Sequence, residues 1–307
     1  MADYSRFDPA IVPWLKQVWK DRQEIKVDAE TISRRMGAET VYALYSAGTM
    51  NGSDSSFLDF QGELKALEWF FHISSTCPDE SPDPDSFFHF VDPSYRAGSR
   101  RIYARVTEPW NKNWTEVARF CLRNMRHGRK DITEFKVAGP RAARTRRDQI
   151  VIYLDNQKAV ETVIEEMQVK MPGWFEGSLP PGVKCVTSGL GWSAEPTPAE
   201  HRSPAVDEIW KGRPLSFGSY LAAVIYMALE QSWTGDDENK FVEELITFFL
   251  NVGVDPAKPH LLRTISWTEL KQLAAVSNAQ IVTARIAPTT TVLIDQTSPL
   301  PLPTSSQ

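Results

Sequence analysis

The sequence predicts an α+β protein: a small mixed or antiparallel sheet of short strands flanked by helices, with a helical layer at the N-terminus. Three observations point there. The first quarter of the chain carries apolar residues at helical spacing. From residue 86 onward, short β-prone runs alternate with amphipathic helices, in places as strand–helix–strand. Neither G-x-G-x-x-G nor G-x-x-x-x-G-K-S/T occurs, so the glycine-rich phosphate loops of nucleotide-binding folds are missing, and with them support for NAD or ATP sites. A G-x-S-x-G nucleophile elbow is missing too.

Taken in order, Asp8-Pro9 reads as a helix start, since aspartate caps and proline is tolerated in the first turn. Ile11, Leu15, Val18 and Trp19 then share one face to about residue 23. A second helix after Asp28 carries Ile32, Met36, Val41, Leu44 and Tyr45 and ends near Gly48. A third, over residues 57–73, turns Phe60, Leu64, Leu67 and Phe70 inward. The segment C-P-D-E-S-P-D-P-D-S marks a boundary. Residues 87–91 read as a strand, with His89 a core or edge residue rather than a ligand.

Residues 101–107 alternate as a strand, placing Arg101, Tyr103 and Arg105 on one side and Ile102, Ala104 and Val106 on the other. A helix over 114–125, a strand over 133–137, an arginine-rich loop, a strand over 149–154 and a helix over 159–169 follow. Pro180-Pro181-Gly182 and Gly189-Leu190-Gly191 bracket another short β segment. Residues 195–214 form a polar, proline-rich loop, read as a mobile lid or a disordered excursion. Ser216 caps a strongly apolar helix to Gln231, and Asp236-Asp237-Glu238 start the next. A last amphipathic helix is expected near 267–276. The expected organisation is a helical layer over 1–75, an α+β core over 86–285 and a flexible tail over 286–307.

At 307 residues the chain can bury a substantial core. Its net charge of −5 argues against a nucleic-acid clamp, which is usually basic. Ten tryptophans and fifteen phenylalanines suit a thick aromatic core or an apolar cleft. Cys77, Cys121 and Cys185 form no C-x-x-C and the five histidines show no ligand spacing, so neither a disulfide framework nor a metal site is expected. With no signal-like start and no apolar run of membrane-spanning length, the expectation is a cytoplasmic protein without membrane partners.

The stretch from Arg100 to Tyr153 concentrates the groups suited to chemistry: its short β-prone runs around a single helix bring together Lys136, Tyr103 and a dense set of arginines. Burial and neighbouring cations disfavour the charged form of a lysine and turn Lys136 into a candidate base. Arginines grip an anion with forked hydrogen bonds. Each residue also has a plain structural reading: Lys136 as an edge-strand lysine, Tyr103 as packing, Ser216 as a helix cap. Arg101 could bridge to Asp148 across strands.

The run R-I-Y-A-R-V … E-F-K-V … R-T-R-R-D-Q-I-V-I-Y … L-P-P-G-V … S-A-E-P … S-F-G, with the later G-V-D-P-A-K-P-H-L, resembles the HopA-type effector family. That family is named after a bacterial type III effector, and its relatives include lyases of lanthipeptide and thioamitide biosynthesis. Parts of it are also similar to phosphothreonine-lyase effectors. The resemblance implies a cofactor-independent carbon–oxygen lyase that eliminates phosphate from phosphorylated serine or threonine. It implies Lys136 as base and Tyr103 as acid. Arg101, Arg105, Arg144, Arg146 and Arg147 would hold phosphate, with Ser216 and Tyr220 facing the same cleft. The substrate would be a phosphorylated peptide or small molecule, and a separate kinase would make it. The alternatives are a non-catalytic effector-like protein that binds a peptide or anion, or another acid–base reaction on an apolar small molecule. One departure stands out: where family members continue S-F-G with two residues and an arginine, this chain has Leu221.

Overall fold

The computed structural model describes residues 2–22, 36–48, 87–91, 98–107, 110–126, 132–196, 206, 209–210, 215–232 and 237–262. All of them lie in one compact unit, Met1–Thr264. The helix expected at residues 57–73, the one near 267–276 and the tail fall outside the described residues.

The described elements are α1 (Val12–Asp21), α2 (Ala38–Ser46), β1 (Phe87–Val91), β2 (Arg100–Ala104), α3 (Trp110–Arg126), β3 (Ile132–Ala138), α4 (Pro140–Thr145), β4 (Ile150–Leu154), α5 (Gln157–Lys170), β5 (Lys184–Thr187), β6 (Leu190–Ala194), α6 (Phe217–Ser232) and α7 (Glu238–Asn251). The six strands form one antiparallel sheet in the order β1-β3-β4-β2-β6-β5. The fold is α+β, as the sequence predicts.

Alternation along the strands divides the sheet into two faces. Phe88, Phe90, Ile102, Ala104, Phe135, Val137, Ile150 and Ile152 pack with α3 and α5 in one apolar core. Phe90 and Phe135, cross-strand partners, stack with ring centroids 4.5 Å apart. On the opposite face Tyr103 and Val151 join a second core with Tyr45 of α2, Phe217 and Tyr220 of α6, and Phe241 of α7.

The N-terminal helices belong to that second core. Trp19 of α1 stacks on Phe241 at 5.1 Å, and Phe7 meets Phe249 edge-on at 5.7 Å. The approach of α2 to α6 depends on Gly218, where a β-carbon would collide with the Tyr45 ring. A helical lid of α2 and α6 therefore covers the Tyr103 side of the sheet.

Local chemistry explains the helix starts. Asn156 accepts from the Ala159 N–H at 3.0 Å to cap α5. Ser216 Oγ accepts from the Ser219 N–H at 3.1 Å, and Ser219 Oγ accepts from the Ser216 N–H at 2.6 Å, a reciprocal cap on α6. Near the N-terminus the helix begins later than expected. Asp8 Oδ1 accepts from the Ala10 N–H in a local turn, and α1 starts at Val12 with Pro13 in its first turn.

Two expected loops differ from the reading. The arginine-rich segment contains the short helix α4, because extended Gly139 delivers the chain to Pro140, whose ring presets a helical φ. Within the loop expected at 195–214, Val206 and Trp210 are buried, and the Trp210 indole donates to the Ser219 carbonyl at 3.0 Å. Its described parts are anchored, since burying tryptophan outweighs the polar composition around it. No described helix is long and apolar enough to cross a membrane.

Candidate active site

Strand register brings the polar residues of the Arg100–Tyr153 stretch onto one face. One row across the sheet reads His89, Lys136, Val151, Tyr103, Gly191; the next reads Val91, Glu134, Tyr153, Arg101, Ser193. Lys136 and Tyr103 thus share a face, with Val151 between them. Two strand spacings separate their backbones by roughly 10 Å.

Lys136 is partly buried at the β1 side of the sheet, with its ammonium 4.5 Å from the centre of the Phe87 ring. Among the described residues no carboxylate lies within ion-pair distance of it. Burial, then the guanidiniums of Arg101 and Arg146, pull its pKa down to about 8; Asp148 and Glu195 oppose them. A fraction of the lysine is therefore a neutral amine near neutral pH.

The two guanidiniums that act on Lys136 are held in place by carboxylates. Arg101, buried against the Tyr153 ring at 4.6 Å, forms a forked ion pair with Glu195. Burial opposes its charge, but the Glu195 carboxylate outweighs it and keeps the guanidinium protonated. Arg146 forks onto buried Asp148 through Nε and Nη2 at 2.8 and 2.9 Å and donates to the Tyr42 hydroxyl at 3.3 Å. Its guanidinium carbon lies 5.0 Å from the Phe87 ring centre, on the same ring that Lys136 approaches. Asp148 therefore pairs with Arg146, and the bridge expected between Arg101 and Asp148 is replaced by Arg101–Glu195. The forks follow from chain position: Asp148 lies two residues beyond Arg146, and the chain leads directly from β6 into Glu195.

Tyr103 is only 1 % exposed. Its phenol faces the Tyr45 hydroxyl, Ser193 and Arg101, and burial raises its pKa. Arg105 is buried beyond the end of β2, with Nη1 3.5 Å from Ser178, and burial and the nearby Arg147 disfavour its charge. Arg147 is partly buried and its Nε has no hydrogen-bond partner among the described residues. Arg144 sits on α4 with its side chain outside the described residues. Ser216 acts as the cap of α6, and the Tyr220 hydroxyl reaches the Val252 carbonyl at 3.5 Å. Leu221 is fully buried in the helical core.

The structure thus gathers Lys136, Arg101, Arg146 and Tyr103 on one face, places Arg105 and Arg147 beside each other, and directs Ser216 and Tyr220 into the helical layer. A cleft of about 360 Å³ between α2 and α4, lined by Tyr42, Ser46, Thr145 and Arg146 among others, reaches Arg146 but not Lys136. Among the described residues no group of three or more His, Cys, Asp and Glu side chains is arranged to hold a metal ion. Sequence reasoning missed Glu195 as the partner of Arg101 and Glu134 as that of His89, and it gave Asp148 to Arg101 instead of Arg146. It also missed that His89 is the cross-strand neighbour of Lys136. The signal was present, since His89 alternates with Phe88 and Phe90, but only strand pairing identifies which residue it faces.

Comparison with known proteins agrees with this architecture. Two solved structures superpose on most of the chain. The effector protein from Pseudomonas syringae pv. tomato strain DC3000 gives a TM-score of 0.58 at 20% identity, over 83% of this chain and 98% of that one. The effector protein from Pseudomonas syringae pv. syringae strain 61 gives 0.58 at 16% identity, over 85% and 99%. At these identities the likeness is one of fold. No curated protein matches the chain. The model of the HopA1 effector protein family matches residues 85–261, which is more than half of the 307 and spans every strand of the sheet, the Lys136 cluster and α6. The chain belongs to the HopA1 effector protein family.

Proposed function

We propose that this protein is a cofactor-independent lyase that eliminates phosphate from phosphorylated serine or threonine, with Lys136 as the base. The observation that carries this reading is the Lys136 amine: drawn down to about 8, flanked by two guanidiniums, and free of a carboxylate partner among the described residues. The neutral amine takes the α-proton, the electron pair forms the Cα=Cβ bond, and the Cβ–O bond breaks to release phosphate. The products are a dehydroamino acid and inorganic phosphate. The developing charge at the carbonyl lies beside Arg101 and Arg146, which are preorganised by their carboxylates and need no rearrangement during the step. The leaving oxygen takes a proton from a donor on the same face, where Tyr103 and His89 are the candidates. General acid–base help of this kind is worth about 10²–10⁴ in rate.

A dehydrated residue within a biosynthetic peptide is the product class this reading favours, and it requires a kinase to make the substrate. The test is incubation with phosphoserine and phosphothreonine peptides, following loss of phosphoric acid by mass spectrometry. Wild type is expected to eliminate and Lys136→Ala to be inactive. Elimination undiminished in Lys136→Ala would overturn the assignment.

A second reading is favoured by one observation: Arg101 and Arg146 are already neutralised by Glu195 and Asp148, which lowers their pull on a phosphate dianion. On that reading the protein is an effector-like binder of a peptide or anion. Tight binding of unphosphorylated peptide with no turnover of any phosphopeptide would select it.

A further inference from the structure

We infer that His89 is the general acid of the elimination, delivering its proton from Nε2 to the departing phosphate oxygen beside Lys136. This rests on the lyase reading and adds to it the second half of the proton inventory. His89 on β1 is the direct antiparallel partner of Lys136 on β3. Side chains so paired on one face stand with β-carbons about 4.5–5.5 Å apart, which lets both reach the two ends of one Cα–Cβ–O unit. Tyr103 stands a full strand farther from the lysine, on the other side of Val151.

Accessibility separates the two donors further. The His89 side chain is 38 % exposed on the edge strand, whereas Tyr103 is 1 % exposed beneath α2 and α6. A leaving phosphate can reach the imidazole without displacing a helix. The ring is also oriented. His89 Nδ1 lies 3.0 Å from Glu134 Oε1, and because a carboxylate only accepts, Nδ1 carries the hydrogen. Nε2 is then the nitrogen that exchanges a proton. This is the carboxylate-oriented histidine arrangement that serves acid–base catalysis generally. The groups facing His89 from its neighbouring strand are Glu134 and Lys136, one to orient it and one to share the substrate.

The step balances. Lys136 gains the α-proton, His89 loses the Nε2 proton to the oxygen of the breaking Cβ–O bond, and solvent restores both groups before the next turnover. Nothing is oxidised or reduced.

The test uses the full chain, a phosphothreonine peptide and the matching O-sulfothreonine peptide, in D₂O. Sulfate leaves without protonation, so loss of the acid affects phosphate release selectively. His89→Asn is expected to lower phosphate elimination about 100-fold or more, with less than a tenfold effect on sulfate elimination and with continued deuterium exchange at Cα. Lys136→Ala should lose all three signals. Glu134→Gln, which keeps the side-chain shape and releases the ring, should reproduce the selective loss more weakly. Tyr103→Phe should not separate phosphate from sulfate elimination. The inference is overturned if His89→Asn eliminates phosphate like wild type, if it loses phosphate and sulfate elimination equally, or if Tyr103→Phe shows the selective pattern. An inactive wild type on every phosphopeptide overturns the lyase reading itself and the acid assignment with it.

Discussion

On the lyase reading, replacing Asp148 with asparagine should move elimination to lower pH. The Asp148 carboxylate opposes the fall of the Lys136 pKa, while burial, Arg101 and Arg146 drive it. With the midpoint at about 8, roughly one lysine in ten is neutral at pH 7, against about one in 3,000 for a solvated lysine near 10.5. Removing an opposing charge that acts through the protein shifts such a midpoint by about one unit. Half the lysines are then neutral at pH 7. Because a weaker base removes a proton more slowly, the net gain in kcat/KM at pH 7 is about two- to fivefold. Asparagine keeps an oxygen for the Arg146 fork, so the guanidinium stays near its place. The assay is the pH dependence of kcat/KM for a phosphothreonine peptide, which reports the free enzyme. Its rising limb should move from about 8 toward 7. The substrate's own second ionisation, near 6, lies outside this window. A limb that stays put or moves upward in Asp148→Asn would falsify the electrostatic account of Lys136.

Lys136→Met should abolish elimination yet stabilise the fold at neutral pH, because it removes a buried ammonium. The sign follows from proton binding: below about 8 both folded and unfolded chains carry the proton, and between about 8 and 10.5 the unfolded chain holds more. Thermal melts should therefore show wild type lagging most below pH 8 and closing the gap as pH rises toward 10.5. Glu195→Gln strands the buried Arg101 guanidinium and should cost about 3–5 kcal/mol in urea unfolding, more than Arg101→Met combined with Glu195→Leu. Gly218→Ala drives a methyl into the Tyr45 ring, and thermal denaturation should show a loss of about 1–3 kcal/mol. Leu221→Arg restores the arginine of the family pattern but buries its charge in the helical core; it should melt at lower temperature without raising phosphopeptide turnover.

How far the sequence carries depends on the range of the interaction. Short β-prone runs placed β1, β3 and β4, and period-two alternation placed β2, close to their observed limits, and the capping serine placed α6. Those signals are local. The shared face of Lys136 and Tyr103 requires the pairing of β3 with β4 and of β4 with β2, which no local pattern encodes. The pairing also decides that Glu195, about sixty residues from Lys136, closes the cation cluster. Asp148 was visible but assigned to the wrong arginine, because the neighbour two residues away in sequence wins over the one across the sheet. The α4 turn was hidden by its arginines, which read as loop until Pro140 is recognised as a first-turn residue. His89 looked like one more edge residue. Its partner across the ladder gives it meaning.

The most direct measurement is the titration of Lys136 itself, followed through its ε-carbon by NMR in protein labelled at lysine, with Lys136→Arg to assign the signal. It needs no substrate. A midpoint near 8 is expected, moving downward in Asp148→Asn and upward in Arg146→Met. A midpoint near 10.5, unmoved by either change, would mean that the amine is an ordinary solvated ammonium and that nothing on this face is prepared to take a proton from carbon.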